Sequence, residues 1–266
     1  MKKYYGQISK LSSKLNEIIS YKMNNENEKI DLNKNLGKQI NIKFNNEINC
    51  IECDRKINKT YMQGYCYPCF ISSPKTSDCI FKPHLCKAHE GKSRDMNWSK
   101  KNCLIDQYVY LSLTSNLKVG VTKHTQIPTR WIDQGAHFAI KLAKTPNRYK
   151  AGLIEHKISQ YISDRTKWRQ MLQGKYENID LLVIKNKMKK LLPNELKVYI
   201  DNDDTVTNLK YPQPNTLEKI ISINLEKTPK IIGQLTGIKG QYIIIDNLYV
   251  LNVRKYTGYF LDINFY

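Results

Sequence analysis

The chain is 266 residues long and carries 43 Lys and Arg against 24 Asp and Glu, a formal charge of +19. Hydrophobic residues make up 41%, enough for a packed core, which excludes a disordered basic tail. No apolar run reaches the roughly 18 residues of a membrane-spanning helix, and the basic N-terminus has no apolar stretch of signal-peptide length after it, so a cytoplasmic address without membrane association is expected.

The charge favours polyanionic partners, DNA or RNA. Much of it has a blander source: 36 of the cations are Lys and only 7 are Arg, beside 25 Asn and 18 Tyr, the residues that rise together under AT-rich codon usage. Four Arg (Arg130, Arg148, Arg165 and Arg169) fall within forty residues. Arg is the side chain suited to bidentate phosphate contacts.

Residues 1–49 read as an N-terminal β segment. Ile30-Asp31-Leu32 and Ile40-Asn41-Ile42-Lys43-Phe44 alternate apolar and polar, and Asn45-Asn46 resembles a turn. Residues 50–103 hold all seven cysteines and read as a zinc-binding module of zinc-ribbon type. Cys50-Ile51-Glu52-Cys53 and Cys66-Tyr67-Pro68-Cys69 are two knuckles separated by twelve residues. That spacing suits one tetrahedral zinc with four thiolates and no open position, a structural site; a disulfide pair, an iron–sulfur site or a redox motif are the alternatives. The remaining Cys79, Cys86 and Cys103 are odd in number. Cys86-Lys87-Ala88-His89 has knuckle spacing, so His89 would complete a second shell, with His84 as the competing ligand. Three buried free cysteines are the bland alternative.

Residues 104–174 read as strand, strand, helix, helix, helix. Gln107–Leu113 and Asn116–Thr122 form a hairpin through Thr114-Ser115. A helix starts near 125–128 and stops at Gly135. Another starts at Thr145-Pro146, with Thr145 as its cap, and carries Glu155. A third runs from Thr166 to Gly174. A connecting helix over 175–195 places Leu181, Met188 and Leu192 on one face and ends at Pro193. Residues 196–266 read as a C-terminal β segment, with strands at 231–235, 242–245 and 249–253 that pair with the N-terminal segment. In Gly237-Ile238-Lys239-Gly240-Gln241-Tyr242 a hairpin turn is expected over a phosphate-cradling loop, because no helix follows.

The tract YVY, a gap, KVG, then Arg130 and a helical Glu155 resembles the GIY-YIG nuclease superfamily over residues 107–164. YCYPCF, DCIFKPHLCKAHEG, LKVGVT, QIPTRWIDQGA and GIKGQY resemble, over nearly the whole chain, an uncharacterised bacterial family, domain of unknown function 2797. The nuclease resemblance implies a small α/β core within an α+β fold. It implies that Tyr110 acts as general base or positions the attacking water, that Gly120 belongs to the second motif, and that Arg130 stabilises phosphate charge. It further implies that Glu155 holds Mg or Mn as a Lewis acid. Lys118 stands where that superfamily's second motif has Tyr, and a point charge does not replace a phenol. Three classes therefore remain: a metal-dependent phosphodiesterase, an inactive nucleic-acid-binding core, and a zinc-stapled interaction scaffold.

Overall fold

A computed structural model of the chain describes residues 2–24, 29–162, 166–213 and 217–266. It is a mixed α+β fold that divides into two compact units. One comprises Met1–Ile71, Leu172–Gly174 and Lys210–Tyr266; the other comprises Ser72–Met171 and Lys175–Leu209. The division at 71/72 falls between the two groups of cysteines, so each unit carries one.

The first unit is built on a seven-stranded sheet in the order 2–7, 259–265, 39–48, 230–239, 242–245, 249–252 and 221–222. The N- and C-terminal β segments thus pair in one sheet. Strict alternation explains the register: in Tyr259–Phe265 every second residue is buried, from Tyr259 to Phe265, the mark of a strand with one face on the core. Asn45-Asn46 is not a turn between strands. Gln39–Ile48 runs straight through it, with Asn46 at φ 55° and a register shift opposite Tyr259–Leu261. The turn-prone pair is absorbed as a bulge. Lys239 pairs with Tyr242 across Gly240, whose φ is +60°, so the GIKGQY segment is a hairpin turn.

The second unit centres on a four-stranded antiparallel sheet in the order Leu117–Lys123, Gln107–Leu113, Phe138–Thr145, Thr207–Asn208. The strand Phe138–Thr145 lies where the sequence suggested only a gap between helices. Ala139, Ile140, Leu142 and Ala143 are all buried, so both faces are covered and no period of two survives in the sequence. The following helix, Arg148–Ser159, is capped by Asn147, whose side chain accepts from the Lys150 N–H, rather than by Thr145, which ends the strand. Ala151, Ile154 and Ile158 of that helix pack with Val109, Leu111 and Val119 of the sheet. Leu181 and Met188 of the helix Leu181–Leu191 join the same core, followed by Leu192. Gly135 ends the helix Thr129–Asp133 in the left-handed region, at φ +69°. No helix among the described residues is long and apolar enough to cross a membrane.

Candidate functional site

Three groups of side chains carry chemistry. The first is Cys50, Cys53, Cys66 and Cys69, whose sulfurs all lie within 4.8 Å of one another. Cys53 Sγ and Cys66 Sγ are 3.8 Å apart. A tetrahedron of sulfurs at a Zn–S distance of about 2.3 Å has edges of about 3.8 Å, so the set fits zinc and is too open for a disulfide. The first knuckle also favours the thiolate of Cys50. Burial works to raise the Cys50 thiol, but N–H groups of Cys66, Glu52 and Cys53 outweigh it and bring it down to about 6. The Cys66 N–H lies 3.2 Å from Cys50 Sγ. Cys69 moves the other way, pushed up first by its hydrogen bond with Cys66.

The second group is Cys79, Cys86 and Cys103, again with all sulfurs within 4.8 Å. The cluster sits where short 3-10 turns (78–80, 83–85, 88–90) meet the helix Met96–Asn102. Hydrogen bonds from Cys79 and Cys86 hold the Cys103 thiol far below its usual range, and the charge of Arg148 lowers it further against burial. The same sharing pushes Cys79 up. Arg148 is the first residue of the helix that carries Glu155. Its guanidinium donates to the carbonyls of Asn102 (3.1 Å) and Cys79 (3.4 Å), and its own N–H donates to the Cys103 carbonyl at 2.8 Å. Gly152, one turn on, meets the turn at Pro83-His84 so closely that a Cβ would stand 2.1 Å from His84 N. The cysteine cluster and this helix are therefore built as one piece.

His89 is not brought into this set. Its ring stacks on Tyr149 (4.2 Å, 16°), and Nε2 lies 3.7 Å from the Glu90 carboxylate. His84 is not there either; it packs on His156 at 4.4 Å. Both cysteine clusters can hold zinc, one with four thiolates and one with three.

The third group surrounds Tyr110. This residue is fully buried, opposite Gly120 in the hairpin, and a Cβ on Gly120 would fall 2.6 Å from its hydroxyl. Glycine is required there because the phenol passes over it. The hydroxyl donates to Gln134 Oε1 at 3.0 Å, and Trp131 sits edge-on to the ring at 6.2 Å. Burial raises the phenol above its ordinary value. Arg130 opposes this through charge and hydrogen bonding, Gln134 through hydrogen bonding, and the charge of Glu155 adds to the rise. Tyr110, Gly120, Arg130 and Gln134 thus converge, and Glu155 is near enough to act electrostatically on Tyr110. Lys118 lies two residues from Gly120 on the same strand, so it projects to the same face, and it is half-buried, as are Arg130 and Glu155.

Gln134 lies in QIPTRWIDQGA but had no role assigned to it, and Arg148 was visible only as one of four neighbouring Arg. The three of these four that are described have separate partners. Arg130 serves Tyr110, Arg148 serves the cysteine cluster, and Arg169 stacks on Trp168 at 4.4 Å; Arg165 lies outside the described residues.

A family model described as "Protein of unknown function (DUF2797)" matches residues 37–261. The chain belongs to the DUF2797 family. No curated protein and no solved structure matches it. The matched stretch contains both cysteine clusters and the Tyr110 group.

Proposed function

We propose that this protein binds nucleic acid through a GIY-YIG-like core, residues 104–174, and that the Tyr110 group is its phosphodiester site. The observation that carries the reading is the packing of the Tyr110 phenol over Gly120 beside Arg130 and Gln134, within the electrostatic reach of Glu155. The reading is supported by the hairpin and the helix Thr129–Asp133 bringing Tyr110, Gly120, Arg130 and Gln134 together, with Glu155 on the helix Arg148–Ser159 acting on Tyr110 through its charge. The formal charge of +19 suits a polyanion. Zinc at the four-thiolate cluster is structural in this reading, since a full thiolate shell leaves no open position.

The roles follow from the chemistry of each side chain. Arg130 is a permanent planar cation suited to a phosphate whose charge rises in the transition state. Tyr110 is fully buried and its hydroxyl donates to Gln134, so it orients its neighbours and does not abstract a proton. Glu155 would hold one Mg or Mn ion, which supplies Lewis-acid polarisation of the phosphate when bound. Lys118 adds a point charge to the same face.

The test is purified full-length protein with Mg or Mn on labelled DNA and RNA. Nicking that disappears in Glu155→Ala supports a nuclease; equal activity in both proteins rejects it. Lys118 and the buried Tyr110 hydroxyl favour a second reading, a core that binds without cleaving. In that case binding weakens by about 0.7–0.9 log units per log unit of salt for each phosphate neutralised, without nicking. No binding at low salt rejects both readings and leaves an interaction scaffold.

A further inference from the structure

The cluster Cys79, Cys86, Cys103 differs from the first in ligand number. Among the described residues no fourth His, Cys, Asp or Glu atom lies within 4.8 Å of all three sulfurs. The nearest expected donor, His89, has its ring committed to Tyr149 and its Nε2 beside Glu90. Zinc sites with four protein ligands are closed, whereas sites with three keep a position for a ligand from outside.

The surroundings say what kind of ligand that is. Cys79 and Cys86 line a cavity of about 330 Å³, whose wall carries the cations Lys87, Lys92 and Arg94 and the carboxylate Asp78, with Lys92 paired to the Glu90 carboxylate at 3.6 Å. Cys103 does not line it; its thiolate has Arg148 beside it. The metal's ligands thus divide into a buried cysteine with a guanidinium partner and two cysteines that line a net positive cavity. Zinc with three thiolates has a net charge of −1, and a fourth anionic donor would take it to −2. Arg148 on one side and the net positive wall on the other, Lys87, Lys92 and Arg94 against Asp78 and Glu90, offset that charge.

We propose that this cluster binds zinc through three thiolates only, and that its fourth ligand is a small anionic donor entering from the cavity. His89 is then an aromatic packing residue, not a ligand. The second centre is a ligand-accepting metal site, while the first is a closed staple. The proposal stands whether or not the Tyr110 group handles nucleic acid.

The test loads the full chain with Co(II), whose ligand-field bands report coordination directly, and titrates thiocyanate. The four-thiolate site is saturated, so any change arises at the second centre. The expected result is a saturable shift of the bands in wild type and in His89→Ala, with both variants holding two metals per chain. Lys87→Glu should weaken thiocyanate about threefold, and an unchanged affinity would remove the role of the cationic wall. If His89→Ala loses one metal or alters the bands before thiocyanate is added, the proposal is overturned. Absence of any shift in wild type overturns it equally. Should His89→Ala fail to fold, zinc X-ray absorption on wild type decides: outer-shell scattering from an imidazole contradicts the proposal, and its absence upholds it.

Discussion

The two cysteine clusters solve the same problem differently. In the first, four sulfurs come from two knuckles close in sequence, and backbone N–H groups of the knuckles themselves stabilise the Cys50 thiolate. In the second, three sulfurs come from turns and a helix end spread over 25 residues; hydrogen bonds from Cys79 and Cys86 lower the Cys103 thiol first, and the charge of Arg148, a further 45 residues on, adds to them. The first cluster is local and self-sufficient. The second is a junction that ties the loop region 78–103 to the helix carrying Glu155. A local staple should control the folding of its own unit. A junction should control the position of a distant side chain.

The largest effect expected is at the staple. Cys50→Ser should drop the zinc content from two to one per chain and remove zinc-linked folding free energy on the order of 10 kcal/mol. Calorimetry should show the β unit losing its cooperative transition. Cys103→Ser should release the other zinc and leave Arg148 buried without its thiolate, a smaller loss of about 3 kcal/mol. If both variants destabilise equally and in the same transition, the contrast between staple and junction fails.

Arg148→Met sharpens the contrast further, because it spares every sulfur. It should leave the first zinc untouched and weaken the second about tenfold in a chelator competition. Gly152→Ala probes the same junction by sterics alone. The added methyl meets the backbone at Pro83-His84, at 2.3 and 2.1 Å, which cannot swing aside as a side chain would. A loss of about 1–3 kcal/mol in thermal unfolding is expected, with the second metal bound more weakly. An unaffected melting curve would mean that the helix and the turn are not packed as one piece.

The smallest effect concerns the buried cations of the two units. Arg148 has thiolates beside it, whereas Lys239 lies fully buried near the ring of Tyr211, at 5.2 Å from its centroid, and burial pulls its ammonium down to about 7. The folded chain therefore binds fewer protons than the unfolded one between pH about 7 and about 10. Stability should rise with pH across that window, by up to about 1.4 kcal/mol per pH unit. Lys239→Met should flatten the slope in urea titrations; an unchanged slope would assign it to another group.

What the sequence disclosed follows the same division between local and distant. The first cluster was fully legible, because knuckle spacing sets its geometry by itself. The cysteines of the second were legible, but not the fate of His89. A two-residue spacing from Cys86 does not determine where an imidazole points, and the ring found Tyr149, sixty residues away. The strand Phe138–Thr145 was hidden because burial on both faces erases alternation. Asn45-Asn46 has the composition of a turn, yet pairing with Tyr259–Phe265 on either side of it, Phe44 with Leu261 and Ile48 with Tyr259, held the strand through it. The hairpin at Tyr110 and Gly120 was readable from its apolar pattern. Gln134 was not, since its role exists only once the helix Thr129–Asp133 brings it under the Tyr110 hydroxyl.

Metal content is the most direct measurement of the central claim that the chain is built around two unlike zinc centres. Full-length protein purified without added metal should contain two zinc ions per chain by inductively coupled plasma analysis, with Cys50→Ser and Cys86→Ser each retaining one. Wild-type protein with all seven thiols free and less than one zinc per chain would contradict it.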